Sequence, residues 1–254
     1  MTPVAPREQR AGTREWLGLA VLALPTLLVS MDVSVLHLAG PAITLDLGAT
    51  AQQMLWIIDV YGFMIAGLLV TMGSLGDRIG RRKLLLIGAA AFGVASIVAA
   101  LATTPGALLI SRAALGIAGA TLMPSTLSLI SAMFADPRQR GMAIGLWVTM
   151  FSVGIALGPV IGGALLQVFW WGSVFLIAVP VMALLLVAGP LLLPEYRAPE
   201  ADPIDLVSVA LSLGAIMPVV YGLKELAVGG NTVVATVAIV VALVTGAVFA
   251  GVLC

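Results

Sequence analysis

Residues 16–38 read WLGLAVLALPTLLVSMDVSVLHL, an apolar run interrupted by one acid, Asp32, and one histidine, His37. An α-helix needs about 20 predominantly apolar residues to cross the hydrocarbon of a bilayer, and this run supplies them. Seven more stretches meet the same template, at residues 54–74, 83–104, 107–133, 141–167, 172–192, 205–227 and 232–254. With 61% hydrophobic and 9% charged residues and a mean hydropathy of +1.16, too little polar surface remains to face water. The expected fold class is all-α, a polytopic membrane protein with the bilayer as its solvent.

Arg7, Arg10 and Arg14 precede the first run, as they would a signal peptide. The run is too long for one, contains Asp32 and lacks a suitably placed small-residue cleavage site, so it reads as a retained helix. The single cysteine, Cys254, excludes an intramolecular disulfide and a Cys-based metal site, and the single histidine excludes a His cluster. No HExxH, GxSxG or P-loop pattern is present. The expectation is a protein that is not an enzyme and carries no metal or cofactor.

The basic residues are placed asymmetrically. Arg7, Arg10 and Arg14, then Arg78, Arg81, Arg82 and Lys83, then Arg138 and Arg140, and finally Arg197 all fall on one side if every run crosses. The other side has only Lys224. The positive-inside rule therefore places the N-terminus in the cytoplasm, and dropping one span would scramble the pattern. Between the sixth and seventh runs the strip PEYRAPEADPID, rich in Pro and acid, reads as a surface linker. The domain expectation is a six-span unit over 1–193, a linker over 194–204 and two further spans over 205–254.

The turn between the second and third runs reads GSLGDRIGRRK, residues 73–83. Gly73, Gly76 and Gly80 permit close approach of two helix ends and a tight turn, Asp77 can accept from helix N-termini, and Arg78 and Arg81 can clamp carbonyls or acids of a neighbour. The fourth run carries RAALGIAG from Arg112, and the fifth carries GIALGPVIGG from Gly154 to Gly163. The first ends in MDVSVLHLAGP, residues 31–41. Together with WIIDVYG, LMPSTLSLI and WWGSVFLIAVP, these strings resemble the major facilitator superfamily, and within it the 14-span drug:proton antiporters that export quaternary ammonium compounds and cationic dyes. GSLGDRIGRRK is similar to that superfamily's signature loop, and Gly154, Gly158, Pro159, Gly162 and Gly163 to its antiporter motif. Val33, Ser34 and His37 depart from the residues more usual there.

The resemblance implies an N-terminal six-helix bundle of two inverted three-helix repeats, followed by two linking spans, in a bacterial inner-membrane exporter driven by the proton gradient. Such an exporter needs a second bundle, and the chain stops at Cys254 in or beside the eighth span. The expectation is thus a piece of a protein roughly twice as long, whose missing half the full-length chain supplies. A truncated, non-transporting membrane protein of the same fold, a sensor or assembly subunit, is the alternative.

A charge near mid-bilayer costs at least about 2.5–3.5 kcal/mol, so one that persists faces the bundle interior or water. Asp32, Asp59 and Arg112 each lie about 8–9 Å from the outer ends of their runs at helical rise, which places them at one level. An Asp32–Arg112 contact, with Asp59 a possible third member, would couple protonation to helix movement; a static pair that only fixes packing is the other reading. The resemblance associates the helix 1 acid and helix 4 arginine with proton coupling.

For a lipophilic cation, aromatic faces contribute up to about 2 kcal/mol when desolvated. Trp56, Tyr61, Trp147, Phe151 and Tyr221 are the candidates, with Met31, Met64, Met123 and Met150 as adaptable lining and Glu225 as a neutralising acid. Each also suits packing or lipid contact. Trp16, Trp170 and Trp171 stand at span ends and read as interfacial belt residues. Gly154, Gly158 and Gly162 recur every fourth position and form one smooth face for close helix packing, with Pro159 as a bend.

Overall fold

The computed structural model describes residues 10–197, 214, 218, 219, 221, 222, 226 and 232–253. The helices are α1 (Thr13–Leu47), α2 (Ala51–Ile79), α3 (Arg81–Ala100), α4 (Pro105–Met133), α5 (Pro137–Val168), α6 (Ser173–Leu176), α7 (Ala178–Leu192) and α8 (Thr232–Leu253). The described residues contain no strand. The short α6 and α7 form one span, Ser173–Leu192, and with it six helices are long and apolar enough to cross a membrane. The expected seventh span, 205–227, lies largely outside the described residues, as do Lys224 and Glu225. The chain is a multi-pass membrane protein.

Local chemistry sets the helix starts. Thr50 accepts from the Gln53 amide at 3.2 Å while the Gln53 side chain accepts from the Thr50 amide at 2.9 Å, a reciprocal cap at the start of α2. Thr104 caps α4 and Asp136 caps α5, each followed by a proline in the first turn, where its missing N–H is no loss. The ends are less legible. Helix α1 continues through Pro41 to Leu47, nine residues past the expected end at 38, because neighbouring helices let a membrane helix tolerate an internal proline.

In the bilayer, helices gain little from the hydrophobic effect against one another, so association rests on close packing. Helix α1 packs on α5, α2 on α4, α3 on both α4 and α7, and α1 also on α7. Exchanging the first three spans with the last three maps α1–α5 onto α4–α2, and α3–α4 onto α7–α1. The contact pattern is thus that of two three-helix repeats. The exposed apolar side chains, among them Val70, Val94, Ile110, Val160, Val187 and Leu191, form the surface that lipid would cover.

The α1–α5 contact is a close seam. A Cβ at Gly154 would collide with the Ser30 hydroxyl and the Leu27 carbonyl, and one at Gly158 with the Ser34 hydroxyl, lying only 2.9 Å from the Met31 carbonyl. Gly162 and Gly163 sit against Val35 and Leu38 in the same way. Ser30 and Ser34 donate to the Leu27 and Met31 carbonyls of their own helix, so the seam costs no unpaired hydroxyl. Pro159 is on the exposed side of the continuous α5.

At the basic end, Gly80 between α2 and α3 has φ +110°, a conformation strained for any other residue, and a Cβ there would strike Glu195. Of the expected clamping residues, Arg81 at the start of α3 pairs with Asp77 near the end of α2, the Nε to Oδ1 distance being 2.8 Å, whereas Arg78 is exposed. Arg82 reaches the neighbouring span instead, donating to the Leu193 carbonyl at 2.9 Å and pairing with Glu195 at 3.5 Å. The Arg81 amide donates to the Tyr196 carbonyl at 2.8 Å. The strip read as a surface linker therefore begins with residues docked on α3, because the Tyr196 carbonyl and the Glu195 carboxylate accept from the amides of Arg81 and Arg82 in the open first turn of α3.

Replacing Gly158 with Val is expected to lower the thermal unfolding midpoint of detergent-purified protein, at a cost of about 1–3 kcal/mol for overpacking. Gly145→Ala, at a position on the same helix with nothing within 4 Å of a Cβ, is expected to leave the midpoint unchanged or raise it.

Candidate functional site

Asp32 stands on the buried face of α1 together with Leu28, Val29, Met31, Val35 and Leu36. An isolated carboxylate there would be costly, and α4 answers it. Arg112, 1% exposed, is the largest fully buried side chain of the protein's described residues and forms an ion pair with the Asp32 Oδ2. The guanidinium has further partners. Its Nε donates to the Ile57 carbonyl at 3.1 Å, and its carbon lies 4.3 Å from the centre of the Tyr61 ring and 6.0 Å from that of Phe175.

Helix α2 therefore contributes by its register. Ile57 and Tyr61 are one turn apart and both face α4, and the Tyr61 hydroxyl donates to the Val29 carbonyl of α1 at 3.0 Å. Tyr61 links α1 and α2 while its ring covers the arginine. A Cβ on Gly116 of α4 would sit 2.6 Å from the Tyr61 carbonyl, so this glycine lets α2 approach closely enough for that stacking. Four helices thus converge on one charge pair in an otherwise apolar interior.

The other candidates separate by helix geometry. Asp59 lies two positions from both Ile57 and Tyr61, about 200° around α2, and is half-buried on the other side of the helix from Arg112. Trp56 shares that side, stacked on Tyr221 with ring centres 5.8 Å apart and edge-on to Phe63 at 6.4 Å. The expected substrate-cavity set is therefore divided, Tyr61 facing Arg112 while Trp56 and Tyr221 lie away from it, and Asp59 does not join the Asp32–Arg112 pair. Tyr61 is 1% exposed and occupied with Arg112 and Val29, which makes it a support for the ion pair and not an open wall.

On α5, Trp147, Met150 and Phe151 are half-buried at helical spacing, and Trp147 donates to the Thr126 hydroxyl of α4 at 3.1 Å. Met64 and Met123 are half-buried, whereas Met31 is in the core. Glu225 lies outside the described residues. His37 is exposed on α1.

Trp171 corrects the interfacial reading: it is 5% exposed, donates to Asp46 Oδ2 at 2.6 Å and packs edge-on to Phe175. Its indole N–H finds an acid at the end of α1, which permits burial that the sequence position did not suggest. Trp170, 51% exposed, is placed as expected. Phe175 and Arg82 are participants the sequence reading missed. Phe175 carried no signal beyond its apolarity, whereas Arg82 was legible only as one of several adjacent basic residues.

The fold and its buried pair define a class, a helical multi-pass membrane protein of transporter type. The family model of the Major Facilitator Superfamily matches residues 22–253, and the chain belongs to that superfamily. It is 51% identical to the multidrug efflux pump LfrA of Mycolicibacterium smegmatis over 96% of this chain and 48% of that protein. It is 40% identical to the methyl viologen resistance protein SmvA of Salmonella typhimurium over 83% of this chain and 43% of that one. The chain spans about half the length of the curated relatives it matches. Among solved structures, a peptide transporter of the POT type superposes with a TM-score of 0.64 at 20% identity, covering 88% of this chain and 49% of that one. A bacterial homologue of the lysosomal transporter Spinster, inward-facing, gives a TM-score of 0.59 at 21% identity, covering 90% and 59%.

Removing one member of a buried pair strands the other, at about 3–5 kcal/mol. Arg112→Met is expected to destabilise the purified protein by that amount in denaturant titrations, and the double variant Asp32→Asn with Arg112→Met is expected to recover most of the loss.

Proposed function

We propose that this chain forms one helix bundle of a proton-coupled multidrug exporter for lipophilic cations, in which Asp32 carries the proton and Arg112 is its counter-charge. The observation that carries the reading is the buried Asp32–Arg112 pair, where gain of a single proton by the acid would leave an arginine only 1% exposed without its counter-charge. The printed names of the two relatives, an efflux pump and a methyl viologen resistance protein, support export of drugs and, for the second, of a cationic compound.

The chemistry follows from the geometry. With Asp32 ionised, Arg112 is held between α1, α2 and Tyr61. Protonation neutralises the acid and leaves the arginine with the Ile57 carbonyl and an aromatic face, a weaker set that favours rearrangement of α4 against α1. The glycine seam of Gly154, Gly158, Gly162 and Gly163 gives α1 a smooth surface along which such a change is sterically possible. A bound cation and the proton would then compete for the same negative charge, which is the requirement for exchange. Trp147 and Phe151 on α5 are the proposed aromatic wall for the cation, and Trp56 and Tyr221 belong to a peripheral surface.

In this reading residues 1–193 form the six-span bundle, 194–204 a cytoplasmic linker and 205–254 two further spans. The N-terminus and the basic loops face the cytoplasm of a bacterial cell, across the inner membrane. The drug, the proton and the lipid are the partners, and the proton gradient takes the place of a cofactor.

In the whole protein reconstituted in vesicles, Asp32→Asn is expected to abolish uncoupler-sensitive export of a cationic dye while membrane insertion stays intact. Normal gradient-driven export by that variant would remove Asp32 from the mechanism.

A further inference from the structure

Between α1, α3 and the α6–α7 span lies a cavity of about 10 Å³ whose wall includes Asp32, Ser96, Phe92, Phe175 and Met31. No residue of α2, α4 or α5 lines it, so it approaches Asp32 from the side of α3 and the sixth span, sharing only Asp32 and Phe175 with the surroundings of Arg112. Asp32 and Ser96 are the polar side chains in that wall; the rest is aliphatic or aromatic.

Ser96 is anomalous. Serines in these helices normally satisfy their hydroxyl on a carbonyl of the preceding turn, as Ser111 does on Ala107 at 2.8 Å and Ser131 on Leu127 at 2.9 Å. The Ser96 Oγ is buried, in a residue 1% exposed, and has no hydrogen-bond partner. An unmet buried hydroxyl costs about 1–3 kcal/mol, so its orientation calls for a partner within the cavity. Room for one water begins at about 10–15 Å³, and a buried water needs at least two polar neighbours. The cavity meets both conditions at their lower limit, with a serine hydroxyl on one side and the Asp32 carboxylate on the other.

We propose that this cavity holds a single water bridging Ser96 and Asp32, and that Ser96 is a positioning residue for the water through which protons reach and leave Asp32. This rests on the reading of Asp32 as the proton carrier. On loading, a hydronium at the cavity position gives a proton to an Asp32 carboxylate oxygen. One O–H bond of the hydronium breaks with its electron pair staying on the water, an O–H bond forms on the carboxyl, and neutral water remains. On release the carboxyl O–H bond breaks with its electron pair staying on the carboxylate, the cavity water takes the proton, and the hydronium so formed leaves the cavity. Ser96 is unchanged throughout.

The charge environment leaves few competitors for that role. Arg112 from α4 is the charged group in contact with Asp32, and α2 presents the phenol of Tyr61 and, on its other side, Asp59. Helix α3 has no titratable side chain beyond Lys83 at its basic end, α5 none beyond Arg140, and the α6–α7 span none at all. Trp147 and Phe151 contribute nothing to the cavity wall. The proton and the drug therefore reach Asp32 past different side chains.

Two measurements test this. The first uses the 254-residue chain in lipid nanodiscs and infrared difference spectra between acid and alkaline pH. A water O–H stretch that shifts in heavy-oxygen water is expected, lost in both Asp32→Asn and Ser96→Ala and restored in Ser96→Thr. The second measures turnover of the reconstituted whole protein. Ser96→Ala, a neutral change for helix formation, is expected to slow proton-driven export on the order of ten- to a hundredfold with the KM for the dye unchanged, and Ser96→Thr to restore it.

Absence of the exchangeable water band from the unmodified chain, or its persistence in Ser96→Ala, overturns the proposal. So does full turnover in Ser96→Ala when Asp32→Asn is dead, an outcome that leaves Asp32 as the carrier. Full turnover in Asp32→Asn overturns the carrier reading itself and the relay with it.

Discussion

A carboxylate and a guanidinium held together inside a bilayer constrain nearly everything around them. Neither ion could stay in this interior alone, and the desolvation cost makes their separation expensive. The pair sets the mutual height of α1 and α4, and α2 is fixed in rotation because one of its carbonyls and one of its tyrosines must reach the arginine. The hydroxyl of that tyrosine then returns to α1, closing a ring of contacts through three helices. Phe175 extends the enclosure to the sixth span.

Close packing supplies the second constraint. Lipid offers helices no incentive to separate from water, so contacts between them depend on how near the backbones can come. Helix α5 buries little besides Ala143 and three glycines spaced by four, and those glycines receive the serines of α1. The helix that carries Asp32 thus has an ion pair on one side and a face of small residues on the other, an arrangement that suits the proposed coupling.

Much of this was legible in the residues. Apolar runs of sufficient length gave the spans, and the depth of Asp32 and Arg112 within their runs placed them at one level before any contact was known. Four-residue glycine spacing marked the face of α5 that packs. Rotation around α2 was not legible, since a lone helix gives no origin for its angle; only the docking of Ile57 and Tyr61 on α4 shows that Trp56 and Asp59 look the other way. Arg78, Arg81 and Arg82 are equivalent as a string, and their division between an exposed side chain, a pair with the end of α2 and a clamp at the end of the sixth span depends on where α3 begins. Trp171 is buried because Asp46, 125 residues away in sequence, accepts its N–H.

Sequence alone determined the solvent, the spans, the charge bias and the identity of the ions that had to be compensated, because each follows from transfer free energies and a fixed rise per residue. The tertiary structure decided which ion answers which, which aromatic ring guards the pair, and that a buried serine shares a small cavity with the acid. Those are questions of azimuth and of long-range approach, and hydropathy along a chain carries no information about either until helices pack.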